Sequence, residues 1–168
     1  AGFDGLNAKL LKGVLPAIIS QLTHLLNLCI RNHTFPSSMK TAVITPVFKS
    51  GSRSKFDNYR PISVLPVISK VLEIVMFDQL TAFISNHNIL YNFQFGFRPN
   101  HSTYMPISIL RDLITDNLIS NKKTVGIYLD LARAFDTVNI EILLKKLNLY
   151  GISGNALSFI TSYLTDRT

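Results

Sequence analysis

The run Val125-Gly126-Ile127-Tyr128-Leu129-Asp130-Leu131-Ala132-Arg133-Ala134-Phe135-Asp136-Thr137-Val138-Asn139 changes character halfway along. Its first half is β-branched and apolar and ends in an aspartate, the composition of a short strand. Alternation puts Val125, Ile127 and Leu129 on one face, suited to a core, and Gly126, Tyr128 and Asp130 on the other. Gly126 leaves room for something to approach that second face. A carboxylate held at a strand end suits a hard cation carrying a phosphate ligand. Phe135 and Asp136 follow on a tight turn, and a helical pattern begins near Asn139.

The chain has 168 residues, enough for one domain or a large part of one. Hydrophobic residues make up 47%, which excludes a disordered chain. The net charge of +7 favours an anionic partner, nucleic acid being the commonest, although solubility charge alone has the same sign. The single cysteine, Cys29, forms no internal disulfide, and no Cys/His cluster with zinc spacing occurs. A reducing, intracellular compartment is expected. No apolar run approaches the roughly 20 residues of a membrane span, so no membrane partner is expected. The chain opens on Ala1 without a signal pattern and is expected to be a piece of a longer protein.

Residues 3–12 read as a short helix with Asp4 as N-cap, and Pro16 opens a second helix with Ile18, Leu22, Leu25, Leu26 and Cys29 on one face. Phe35-Pro36 ends it. Residues 41–48 and 58–63 read as two strands joined by a long, mobile polar tip, with Pro46 marking an edge or a bulge. Lys40, Lys49, Arg53, Lys55, Arg60 and Lys70 crowd this region against the lone Asp57. Arg53 and Lys55 read as a solvated tip. Residues 66–87 hold a long amphipathic helix, with Ile68, Val71, Leu72, Val75, Leu80, Phe83 and Ile84 as core. The scattered histidines form no metal or triad pattern.

Gln94-Phe95-Gly96-Phe97-Arg98-Pro99 reads as an ordered loop. Arg98 suits a phosphate or a stacked base, or else belongs to a structural turn and caps a neighbouring helix. Ser102 or Thr103 is placed to N-cap a helix reaching about Ser120, with Ile107, Leu110, Ile114 and Leu118 inward. Ile140, Leu143, Leu144 and Leu147 define a helix ended by Tyr150-Gly151. A last helix carries Leu157, Ile160 and Leu164.

The block Tyr128-Leu129-Asp130-Leu131-Ala132-Arg133-Ala134-Phe135-Asp136-Thr137-Val138-Asn139 resembles the first catalytic block of reverse transcriptases, most of all those of retrotransposons without long terminal repeats, the LINE or jockey-like kind. Ala132 and Arg133 depart from the serine and lysine usual there. Asn58-Tyr59-Arg60-Pro61-Ile62-Ser63 resembles the family's fingers hairpin, and the Phe-Pro turn with Lys40, the Gln94 to Thr103 loop and the Leu147 to Ala156 run, with Tyr150-Gly151-Ile152, Gly154 and Ala156, also match in family order.

The resemblance implies an α+β right-hand polymerase fold: fingers plus a partial palm, mostly helical, with a fingers hairpin and a central palm strand. Residues 1–123 would be fingers and fingers–palm helices, and 124–168 the first part of the palm. It implies RNA-directed DNA polymerase activity on an RNA template and DNA primer with deoxynucleoside triphosphates, by a mechanism using two Mg²⁺ ions. Asp130 would be the catalytic carboxylate and, with the carbonyl of Leu131, a metal ligand. Arg60 and Lys49 would hold the triphosphate, where cations stabilise developing negative charge. Phe135 would block the sugar's 2′-hydroxyl, the other reading being a core phenylalanine. Gln94 and Arg98 would contact nucleic acid.

The family's later aspartate pair has no counterpart, since the chain contains no Asp-Asp. Asp136 is the nearest substitute, or else an N-cap. The chain alone is expected to be inactive and to need the downstream palm and thumb of its parent, in the nucleus or cytoplasm. Two other readings fit parts of the sequence. A non-catalytic nucleic-acid-binding remnant of a decayed element needs only the basic hairpin and the Arg98 loop. A helical interaction protein leaves the strand-borne Asp130 without a purpose.

Overall fold

A computed structural model describes residues 1–131 and 134–167. The two departures from the family block, Ala132 and Arg133, lie outside the described residues. Five helices and one hairpin follow in order: α1 (Ala8–Arg31), β1 (Val43–Phe48), β2 (Tyr59–Val64), α2 (Val67–Asn86), α3 (Tyr104–Ile119), α4 (Ile140–Leu149) and α5 (Gly154–Leu164). The chain divides into two compact units, Ala1–Leu80 with Asn139–Thr168, and Thr81–Val138.

The first unit holds the densest core. Leu26 of α1, Phe35, Leu72 of α2 and Phe159 of α5 are buried together, with Leu22, Cys29, Ile68, Val71 and Tyr163 packed around them. Phe35 is the hub. Its ring lies 6.1 Å from Phe159 and 4.9 Å, edge-on, from Tyr163. Its N–H donates to the Ser162 hydroxyl at 2.9 Å, so the chain leaving α1 is tied to α5 by packing and by a hydrogen bond. Tyr163 extends the tie to α2, its hydroxyl donating to Glu73 Oε1 at 3.0 Å. Arg167 reaches the same oxygen at 3.5 Å and lies over the Tyr163 ring at 4.4 Å. Burial, then the Glu73 charge, pushes the Tyr163 phenol above its ordinary value. Burial also raises the Cys29 thiol.

Several expectations are corrected at the N-terminus. Two helices were expected, and a single helix runs through Pro16. Asn7, not Asp4, caps it, its side chain accepting from Leu10 N. Asp4 instead accepts from Leu6 N at 3.1 Å, in a turn before the helix. A proline inside a helix removes one backbone bond, and the rest of α1 continues around that loss. Uninterrupted, α1 is 24 residues and meets the length and composition of a membrane span, contrary to the sequence reading. Near its C-terminal end, Leu22, Leu26, Cys29 and Ile30 belong to the core just described.

The helix ends follow local chemistry. Asn139 caps α4 by accepting from Ile142 N at 3.0 Å. Gly151, at φ +93°, turns the chain beyond α4, and Ile152 N donates back to Leu147 O at 3.0 Å. Thr103 precedes α3 but makes no side-chain cap, and of the expected inward residues Ile107 and Leu118 are exposed.

The expected central palm strand is not formed. Residues 122–131 carry no regular structure, and the only sheet among the described residues is the β1–β2 pair. A strand exists through its partner's hydrogen bonds, and this segment has none beside it. Val125, Ile127 and Leu129, expected on a core face, are 85, 82 and 92% exposed. The α+β mixture stands, with its β part confined to the hairpin.

Candidate active site and nucleic-acid interface

The candidate residues fall into two groups, one in each unit. The first lies on the hairpin. Its register is continuous and antiparallel, from Val43 opposite Val64 to Phe48 opposite Tyr59, with Val47 opposite Arg60. Lys49 N donates to Asn58 O at 2.7 Å, which makes 49/58 a hydrogen-bonded pair. Alternation then makes Pro46/Pro61 a non-hydrogen-bonded pair, where two residues without N–H cost the ladder nothing. Pro46 therefore needs no bulge. The same alternation puts Lys49 and Arg60 on one face, diagonal to each other, and the Phe48–Tyr59 pair on the opposite face. Both cations are exposed, and neither joins the ion pairs of the described residues.

The tip is folded on itself, in contrast to the mobile loop expected. Gly51 turns at φ +87°, against the Asn58 side chain. Asn58 Nδ2 donates to Ser52 O at 2.7 Å, and the Tyr59 hydroxyl donates to Arg53 O at 2.9 Å. The Ser52 and Ser54 hydroxyls are 2.7 Å apart. Arg53 is not simply solvated: its guanidinium lies 5.3 Å over the Phe48 ring.

The second group lies in the unit 81–138. In the loop after α2, Arg98 is half-buried, and its Nη1 donates to Tyr91 O at 3.2 Å and to Gln94 O at 3.4 Å. Those bonds close the loop, so this part of the guanidinium holds the turn. Gln94 is exposed, with Nε2 donating to Gly96 O at 3.5 Å. Phe97, which the sequence reading passed over, is 91% exposed at φ +59°, a backbone state that β-carbon sterics disfavour. The signal in the sequence was its place between Gly96 and Arg98.

Asp130 lies in the stretch without regular structure and is exposed, its Oδ1 accepting from Leu131 N at 3.0 Å. The space beside Gly126 is taken by the Tyr128 ring, whose nearest atom lies 3.2 Å from a β-carbon placed there. Phe135 is 82% exposed and is not among the buried residues described. Its ring meets that of Phe97 edge-on at 6.2 Å.

Asp130 suits one place in the oxygen shell of a hard cation. A shell needs further ligands, and among the described residues no three His, Cys, Asp or Glu side chains gather at a metal-sized site.

The model of the family described as reverse transcriptase (RNA-dependent DNA polymerase) matches residues 48–168, and the chain belongs to that family. It is 30% identical over 99% of its length to the "Probable RNA-directed DNA polymerase from transposon BS" of Drosophila melanogaster, covering 18% of that protein. It is 29% identical over 80% of its length to the "RNA-directed DNA polymerase from mobile element jockey" of the same species, covering 15% of it. The "Retrovirus-related Pol polyprotein from type-1 retrotransposable element R2" of Popillia japonica is 28% identical over 99% of the chain, with 22% of its own length covered. The resemblance to the retrotransposon kind of reverse transcriptase is borne out. The chain spans less than a quarter of the length of these relatives. Polymerases of this family work with divalent metal ions.

Proposed function

We propose that this chain is the fingers and first palm segment, divided near residue 123, of a retrotransposon reverse transcriptase that copies RNA into DNA. The observation that carries the reading is the exposed Asp130 inside the matched family block. Asp130, with the Leu131 carbonyl beside it, would hold Mg²⁺. Two such ions, once bound, would lower the pKa of the primer's 3′-hydroxyl and neutralise the triphosphate. The chain's own residues do the positioning. Lys49 and Arg60, on one face of the hairpin, bind the triphosphate and offset the charge that grows as pyrophosphate leaves. Phe135 stands where a ribose 2′-hydroxyl would clash. Gln94 contacts nucleic acid directly, and Arg98 supports it by fixing the loop. The downstream palm and thumb of the parent supply the remaining carboxylates and the grip on RNA template and DNA primer. The free Cys29 thiol is compatible with a reducing compartment, nucleus or cytoplasm.

The test is RNA-templated extension of a DNA primer by the parent polypeptide, with Mg²⁺ and deoxynucleoside triphosphates. Extension dependent on the RNA template is expected. Tight binding of primer–template without incorporation would overturn the reading.

A further inference from the structure

Phe56 is the most exposed large hydrophobic side chain in the first unit, at 94%, and it stands on the hairpin tip. A lone apolar ring at a loop tip means little when the loop is slack, because the ring then samples many positions. This tip is not slack. Lys55 N donates to Ser52 O at 3.3 Å, Asn58 N donates to Lys55 O at 3.1 Å, and a 3-10 turn spans Phe56–Asn58. With the Asn58 and Tyr59 side-chain bonds to Ser52 and Arg53, the backbone is held on both sides of Phe56. Among the described residues Phe56 pairs with no other ring, whereas Phe48, Tyr59 and Arg53 pack on one another below it. The surroundings are cationic: Lys49, Arg53, Lys55 and Arg60 outnumber the single carboxylate Asp57.

We propose that the hairpin tip is a stacking platform for single-stranded nucleic acid. Phe56 offers its ring face to a base while Lys55 and Arg53 take the adjoining phosphates. An exposed aromatic ring amid cations is what sequence-tolerant single-strand recognition requires, because every base has a π-face and every linkage a negative charge. The backbone on both sides of Phe56 is held by the tip's own bonds, so little backbone freedom is lost on stacking. The inference rests on the polymerase reading for its partner. It adds a contact separate from the Lys49–Arg60 face assigned to the triphosphate.

The sequence contains no tryptophan, so Phe56→Trp places a sole indole reporter on the tip. The 168-residue chain carrying it is titrated with a single-stranded RNA oligonucleotide, with heparin, and with vesicles of phosphatidylserine and phosphatidylcholine. RNA should quench the indole by stacking. Heparin, a polyanion without bases, should bind in a salt-sensitive way and leave the emission unchanged. Vesicles should give no blue shift. In parallel, Phe56→Ala should weaken RNA binding by about tenfold and Phe56→Tyr should keep it. An indole unquenched by saturating RNA, equal quenching by heparin, a blue shift confined to vesicles, or wild-type affinity in Phe56→Ala would each overturn the platform. Salt-sensitive RNA binding without quenching removes the platform and leaves the polymerase reading standing. Failure of the parent to extend a primer removes that reading whatever the indole reports.

Discussion

Phe97 and Phe135 meet edge to face with ring centroids 6.2 Å apart, which joins the loop after α2 to the turn after Asp130. Both rings are otherwise exposed, and Phe97 holds its place from a left-handed backbone that costs a bulky residue about 1–3 kcal/mol. The contact gives Phe135 an aromatic neighbour.

If Phe135 excludes the 2′-hydroxyl, Phe135→Val in the parent enzyme should relax discrimination against ribonucleotides. Phe97→Ala should shift it the same way by a smaller amount, about two- to tenfold, the worth of one aromatic pair. Competing incorporation of the two sugars measures both. Unchanged discrimination in Phe135→Val would assign the ring to packing against the rest of the parent.

Arg60 and Lys49 share a hairpin face and are free to meet a triphosphate. Arg60→Ala should raise the nucleotide KM by about tenfold or more and change primer–template affinity by less than about threefold, since one interfacial charge is worth little to a large polyanion contact. A uniform, salt-sensitive loss of template affinity with an unchanged nucleotide KM would place Arg60 on the nucleic-acid backbone instead.

Much of this was legible in the sequence, and the failures have physical causes. The hairpin could be read because its apolar runs flank a polar tip and its prolines fall where no N–H is needed. Asn139 and Gly151 marked α4 because cap chemistry is local. Pro16 misled because a helix with good neighbours on both sides survives one lost bond, and propensity carries no record of those neighbours. Residues 125–130 have a strand's composition and no partner, and pairing is a property of two segments that one segment's pattern does not reveal. The alternatives for Arg98 could not be separated by residue type, since a guanidinium serves a carbonyl and a phosphate equally well. Phe56 was hidden by its polar neighbours.

Stability of the first unit should rest on Phe35 and Tyr163. Phe35→Ala should cost about 3–5 kcal/mol through the cavity it leaves. Tyr163→Phe should cost about 1–2 kcal/mol through the lost bond to Glu73. The Tyr163 phenol is raised above 10.0, so the folded state prefers it neutral. Its contribution is therefore complete below about pH 10 and is lost as pH rises through the raised value. Urea unfolding of wild type and Tyr163→Phe should show a gap at about pH 8 that narrows toward about pH 11. A gap independent of pH would mean that the phenol does not titrate against Glu73.

Val125, Ile127 and Leu129 lie exposed in a stretch without regular structure, an apolar surface that invites association. The 168-residue chain should self-associate at micromolar concentration, and Ile127→Lys should reduce it. Sedimentation velocity of the two proteins decides the point, and equal association would move the sticky surface elsewhere.

The central claim is that Asp130 is a metal-binding catalytic carboxylate, and Asp130→Asn in the parent polypeptide tests it most directly. The amide keeps the shape and lacks the charge that holds a divalent cation. RNA-templated primer extension should fall by at least about a thousandfold while primer–template affinity stays within about threefold of wild type. Extension within a few-fold of wild type would contradict the account.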